Sequence, residues 1–258
     1  MKLSLKDIAE PVIFFIALLV LWEILVKVAH VPAFILPPPK DLYSAFVAKF
    51  FILGHHSLIT FIEAVGGFAL SFVLGVAFAV AVVYSRHLNN TIYPLIVILY
   101  AMPKSAFAPL MVIWIGYGLF SKIAIAFLVA FFPIVVNTVV GLKEVEPELI
   151  ELARINRGSA WGVFKKIRLP NSLPYMFAGI KVALVLSVTG AIVAEFVAAN
   201  EGLGYLVLQA NYSLDTAFAL VILLILALLS LALFAVVDKL QRKWVPWSAE
   251  VRQIEGSF

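Results

Sequence analysis

The chain has no cysteine, so disulfide frameworks, thiolate nucleophiles and cysteine metal sites are excluded at once. It has no G-x-x-x-x-G-K-[ST] phosphate loop, no H-E-x-x-H and no G-x-S-x-G. No lone Ser or Asp stands at a spacing that links it to a base. Catalytic residues are therefore not expected, and neither is a bound metal. Charge is also scarce: 13% of the 258 residues, about half of what a soluble domain carries. What fills the space is Phe, Leu, Ile, Val and Ala, and 64% of the chain is hydrophobic, too much for one water-soluble core of this length. Long apolar runs favour helices over the alternating strands of a barrel. The fold class expected is all-α, a single polytopic membrane domain over residues 1–258.

A crossing needs roughly 20 mostly apolar residues. The sequence predicts six, at about residues 11–29, 58–84, 92–115, 123–142, 173–197 and 217–237. The third is interrupted near Pro103. The first run follows "MKLSLKD" but carries Glu10 and Glu23 and outlasts a usual signal core, so a retained helix is expected. With the N-terminus in the cytoplasm, Lys2, Lys6, Arg86, the basic residues between Lys143 and Arg168, and Lys239, Arg242, Lys243 and Arg252 lie inside. Outside remain Lys40, Lys49 and Lys122, with Lys27 near the boundary. This asymmetry predicts both termini in the cytoplasm.

Between the first two runs, "LPPP" forbids helix, and "KDLYSAFVAKFF" can form a short amphipathic helix on the outer surface. His55 and His56 are adjacent and have no third ligand at metal spacing, so they are expected as interfacial residues.

The polar residues inside the runs are read one by one. Lys104 stands beside Pro103, with Pro109 just beyond, and broken helices often line solute paths. The plainer reading is a proline kink with Lys104 reaching a carbonyl. Lys181 is expected to snorkel towards the inner surface. Glu23, Glu63 and Glu195 lie near outer ends and are expected as interfacial or intersubunit contacts. Asn137 can hydrogen-bond across helices, and Pro133 can kink its own. Gly66, Gly67 and Gly75 suggest close helix packing. In "AANEGLGYLVLQANYS", Gly202 and Gly204 allow a tight re-entrant turn beside Glu201.

One cytoplasmic segment, about residues 146–170, is unlike the rest: "EPELIELARINRGSAWGVFKKIRLP". Pro147 suits a helix start. "Asn156-Arg157-Gly158" is a turn signal, and Ser159 can cap a second helix bearing Trp161, Phe164 and Ile167. Pro170 is expected to stop that helix. On its own the pattern fits either anionic lipid or a docked partner.

The segment resembles the EAA loop of ABC-importer permeases, whose pattern is E-A-A-x3-G-x9-I-x-L-P. Glu151, Ala153, Ile167, Leu169 and Pro170 match in register, Leu152 replaces an alanine, and Arg157 stands at the glycine position with Gly158 one residue on. Because Arg is strained in a left-handed conformation, the turn is expected to slide to Asn156 or Gly158. "ILPPPKDLYSAF", "AMPKSAFAPLMVIWIGYG", "FFPIVVNTVVGLKEVEPELIELAR" and "VAEFVAANEGLGYLV" resemble the nitrate/sulfonate/taurine/bicarbonate-type, binding-protein-dependent branch.

The resemblance implies a permease subunit in a bacterial inner membrane. It would pair with a second permease copy, two ATP-binding subunits and an extracytoplasmic binding protein, with no nucleic acid involved. ATP would sit in the partner subunit, leaving this chain without a cofactor of its own. Glu151, Ala153, Arg154, Arg157, Gly158, Trp161, Phe164, Ile167, Leu169 and Pro170 would couple to the ATPase. Pro103, Lys104 and Pro109 would be candidates for the solute path, and Glu201, Gly202 and Gly204 would face the binding protein. The implied cargo is a small solute: sulfonate, taurine, nitrate, bicarbonate, or a pyrimidine or vitamin precursor. A rival class is an ion-coupled carrier that needs no ATPase; it would place carboxylates centrally.

Overall fold

A computed structural model describes residues 5–248. Lys2 and Arg252, part of the charge asymmetry, lie outside the described residues. The described residues are helices joined by short connections, with no strand among them. After α1 (Leu5–Val28) and the proline-rich stretch, Pro39 opens α2 (Pro39–Ala48), where its missing N–H costs nothing. The second apolar run begins earlier than expected. It is α3 (Phe50–Tyr84), a 35-residue helix that takes in both histidines.

The third run is broken, as its prolines predict. A π-helical turn (Leu88–Ile92) leads into α4 (Tyr93–Ala101); a 3-10 turn (Lys104–Phe107) leads into α5 (Ala108–Ile115). The two halves meet at 93°. Met102 and Pro103 take extended backbone between them, the conformation that a proline imposes on itself and its predecessor.

Then come α6 (Leu119–Lys143), the short α7 (Pro147–Ile155) and α8 (Ala160–Val163), α9 (Leu169–Ala198), α10 (Leu203–Tyr212) and α11 (Thr216–Trp244). Among the described residues, four helices are long and apolar enough to cross a membrane, and the bent pair makes five if it counts as one. The expected sixth segment is α1, helical over 24 residues but not among those five.

α6 is the centre of the bundle, gripped between α3 and α9. Ala126 is the pinch point. Gly67 of α3 faces it from one side, and Gly190 of α9 from the other, where a Cβ would stand 2.7 Å from the Ala126 Cα. Gly75 meets Ile134 one level along, and Gly141 of α6 meets Ser172 of α9. Small residues that let backbones touch are how helices bind each other where lipid supplies no hydrophobic drive. Asn137 turns its amide into its own helix, Nδ2 donating to the Pro133 carbonyl at 2.8 Å, rather than across to a neighbour.

Pro170 does not end a helix. The helix starting at Ala160 runs on as one 38-residue element to Val197. Between α8 and α9 it passes through a π-helical turn, Phe164–Arg168, with the Leu169 N–H bonded to the Phe164 carbonyl. The wider turn accommodates a proline, which has no N–H to give.

Candidate functional site

At one end of the bundle, α7 and α8 form a hairpin, with α8 the first turn of the long element that continues as α9. Pro147 occupies the first turn of α7, and the helix closes in a Schellman motif. The Arg157 N–H donates to the Arg154 carbonyl at 3.0 Å, and the Gly158 N–H to the Ala153 carbonyl at 2.8 Å. The turn has not slid: Arg157 itself is left-handed, φ 53°, while Asn156 stays at φ −79°. Gly158 is needed for a different reason, since a Cβ there would lie 2.8 Å from the Ala153 carbonyl oxygen. Two backbone bonds offset the strain on Arg157. Arg157→Gly should therefore stabilise the protein by up to about 1 kcal/mol, and Gly158→Ala should destabilise it. Thermal unfolding of the detergent-solubilised chain measures both, and a destabilised Arg157→Gly would contradict this account.

Ser159 then caps α8, its Oγ accepting from the Gly162 N–H at 3.1 Å. Phe164 packs inward, 5.9 Å edge-on from Tyr84 of α3, and carries Trp161 stacked on it at 5.4 Å. Trp161 remains 69% exposed and Ile155 79%, beside exposed Leu152, Glu151, Arg154 and Arg157. Ala153, Ile167, Leu169 and Pro170 are half-buried beneath. Arg168 Nη1 donates to the Leu142 carbonyl at 3.2 Å, and Asn171 Nδ2 to the Glu144 carbonyl at 2.7 Å. The hairpin is thus fastened to the end of α6 and offers an apolar ridge with charged flanks.

In the broken helix, Lys104 curls back so that Nζ donates to the Tyr100 carbonyl, 4.5 Å from the centre of the Tyr100 ring. Pro103 and Pro109 are exposed on either side of it.

The opposite end holds a polar cluster that the sequence reading did not assemble. Lys122, expected in an outer loop, is 8% exposed inside α6 and pairs with Glu63 of α3 at 2.5 Å. Glu63 and Glu195 are 0% and 1% exposed, buried within this chain rather than presented to a second subunit. The two carboxyls neighbour each other. Thr60 Oγ donates to Glu195 Oε1 at 2.6 Å and accepts from the Leu203 N–H at 2.8 Å. The Gly204 N–H donates to Glu195 Oε2. Glu195 thereby caps α10, whose first N–H groups have no helical partner. The turn before α10 is left-handed at Gly202, φ 116°, and a Cβ there would fall on the Glu195 carboxylate. His56 is part of this fastening: Nδ1 accepts from the Gly202 N–H at 2.9 Å. The sequence places Glu63, Lys122 and Glu195 at the same end of three long helices but does not say that they face one another.

Two further pairs bear on the sequence expectations. Lys181 meets Asp238 of α11 at 2.8 Å instead of snorkelling. Glu23 pairs with Lys27 one turn on, at 2.9 Å. Among the described residues no group of His, Cys, Asp and Glu is placed to hold a metal.

With this geometry in view, comparisons with known proteins are direct. Residues 71–246 match the family model of the binding-protein-dependent transport system inner membrane component. The chain is 37% identical over 234 residues to the riboflavin transport system permease protein of Chloroflexus aurantiacus, covering 90% of this chain and 87% of that one. It is 34% identical over 243 residues to the formylaminopyrimidine transport permease protein of Halalkalibacterium halodurans, covering 92% and 95%. The fold superposes on a chain of the inward-facing MetNI methionine ABC transporter with a TM-score of 0.67 at 20% identity, over 76% of this chain and 98% of that one. A bundle pinched on a small-residue helix, with an external hairpin and a broken helix, thus belongs to the binding-protein-dependent transport system inner membrane components, and the chain is a transport permease of that family.

Proposed function

We propose that this permease works as two copies with two ATP-binding subunits and an external binding protein, importing a small solute by alternating access. In this reading it crosses the membrane six times, α1 included, with both termini and the α7–α8 hairpin in the cytoplasm. ATP binds and is hydrolysed in the partner subunit. The observation that carries the reading is the hairpin. An apolar ridge of Ile155 and Trp161, both more than two-thirds exposed and flanked by charge, suits a protein cleft better than water. Glu151, Arg154 and Arg157 form its polar rim, and Ala153, Gly158, Phe164, Ile167, Leu169 and Pro170 shape its support. Lys104, Pro103 and Pro109 line the solute path at the break, and Glu201, Gly202 and Gly204 lie on the binding-protein side. Two similar permeases are named for riboflavin and for a formylaminopyrimidine, which favours a vitamin or pyrimidine precursor over an inorganic anion.

The test is co-purification with a co-expressed cognate ATP-binding subunit, followed by ATP-dependent uptake in vesicles. Trp161→Glu should abolish capture of the ATP-binding subunit while the permease itself still purifies as a folded protein. Unchanged capture and uptake would overturn the docking assignment. Uptake by vesicles holding this chain alone would point instead to an ion-coupled carrier.

A further inference from the structure

A cavity of about 880 Å³ opens at the end of the bundle opposite the hairpin, between α3, α6, α9 and α10. That volume falls in the range of sites for drug-sized molecules. We infer that it binds a solute carrying an uncharged aromatic ring and excludes anions. The inference deepens the transport reading above and rests on it for the direction of traffic, but not for binding itself.

Its wall is aromatic on several sides. Tyr117 comes from the α5–α6 turn, Phe196 from α9, and Tyr205 and Tyr212 from α10. Tyr205 is stacked on His56, with ring centres 6.2 Å apart and 19° between planes. The cap that Glu195 places on α10 fixes the backbone of the helix carrying Tyr205 and Tyr212, so less ordering is lost on binding. Flat π-faces bind one another with little regard to ring identity. Asn200 and Gln209 add amides, which can donate to and accept from a heterocycle edge.

The charges on the wall settle the sign. Among the described residues lining the cavity, Lys122 is the one cation, against Glu63, Glu195 and Glu201. Lys122 is already bound to Glu63 at 2.5 Å. Glu63 Oε2 is buried beside Glu195. A sulfonate, nitrate or phosphate would have to compete with Glu63 for the buried Lys122, and would meet acidic side chains on the remaining wall. A neutral ring with N–H or O–H groups pays neither cost.

The experiment uses the full chain in lipid nanodiscs, with no ATP-binding subunit present, and follows fluorescence quenching of riboflavin. Its phosphate ester, flavin mononucleotide, carries the same ring with an anionic group. Saturable quenching by riboflavin is expected, with the phosphate ester at least about tenfold weaker and taurine unable to compete. Tyr212 and Gln209 are both exposed and tolerate change; Tyr212→Ala should weaken riboflavin about tenfold, and Gln209→Ala less. Glu201→Lys should narrow the gap between the two flavins. The inference is overturned if quenching is no greater than in empty nanodiscs, if the phosphate ester binds as well as riboflavin, if taurine competes, or if Tyr212→Ala binds like the parent. Because the assay contains no ATPase, these outcomes stay separate from failure of the hairpin to capture one.

Discussion

Lys122→Met should be the most damaging single substitution in the bundle, lowering stability by about 3–5 kcal/mol. The lysine pairs at 2.5 Å with Glu63, which is 0% exposed, so its loss leaves a buried carboxylate beside a second one, Glu195. Glu63→Gln should cost less, because the amide keeps a hydrogen-bond acceptor for Lys122 and removes one of the two neighbouring acids. The double change Lys122→Met with Glu63→Met should recover most of the loss, since a buried ion pair exchanged for apolar groups of similar size is often neutral. Thermal unfolding of these proteins together with Glu63→Met alone, in one detergent, closes the cycle and gives the coupling. A Lys122→Met protein as stable as the parent would mean that the pair contributes nothing to the fold.

The second large effect is expected at the pinch on Ala126. Gly67→Ala and Gly190→Ala should each destabilise by about 1–3 kcal/mol, at the upper end because the obstruction is backbone rather than a movable side chain. A Cβ at Gly67 would stand 2.8 Å from the Phe127 N, and one at Gly190 would stand 2.7 Å from the Ala126 Cα. The two should differ in rescue. Ala126→Gly removes the methyl that Gly67→Ala runs into and should partly restore that variant. It removes nothing that Gly190→Ala meets, so that variant should stay defective. Gly54→Ala is the internal control, because nothing lies within 4 Å of a Cβ there. Purified yield and unfolding temperature check the series; equal rescue of both variants would show that the crowding lies elsewhere.

What the sequence made legible was mostly one-dimensional. Apolar length located the long helices, and Pro103 located the break, since a missing N–H and a forced φ act on the chain locally. Pro147 and Ser159 were readable for the same reason, because caps are satisfied within a few residues. The misreadings share the opposite trait. Lys122, Lys181, Glu63 and Glu195 were placed by depth, yet their partners lie on other helices, and depth says nothing about which way around the axis a side chain points. Arg157 was moved off the left-handed position because its intrinsic cost was visible, while the two backbone bonds that offset it were not. Pro170 was read as a stop because a π-helical turn leaves no compositional mark.

That turn also preserves an angular phase. Ala160 to Val197 is one continuous element of 38 residues, so at 1.5 Å per residue it reaches roughly 57 Å. The hairpin end and the Glu195 end are rigidly indexed to one another along it. Phe164–Arg168 is the one place where the count departs from 3.6 residues per turn, holding an additional residue. Deleting one residue there would give a more regular helix and would turn Trp161 by only roughly 10° relative to Glu195, because five residues in the wider turn sweep about the same angle as four in an α-helix. The irregular turn takes in an extra residue while keeping the faces at the two ends of the rod in register.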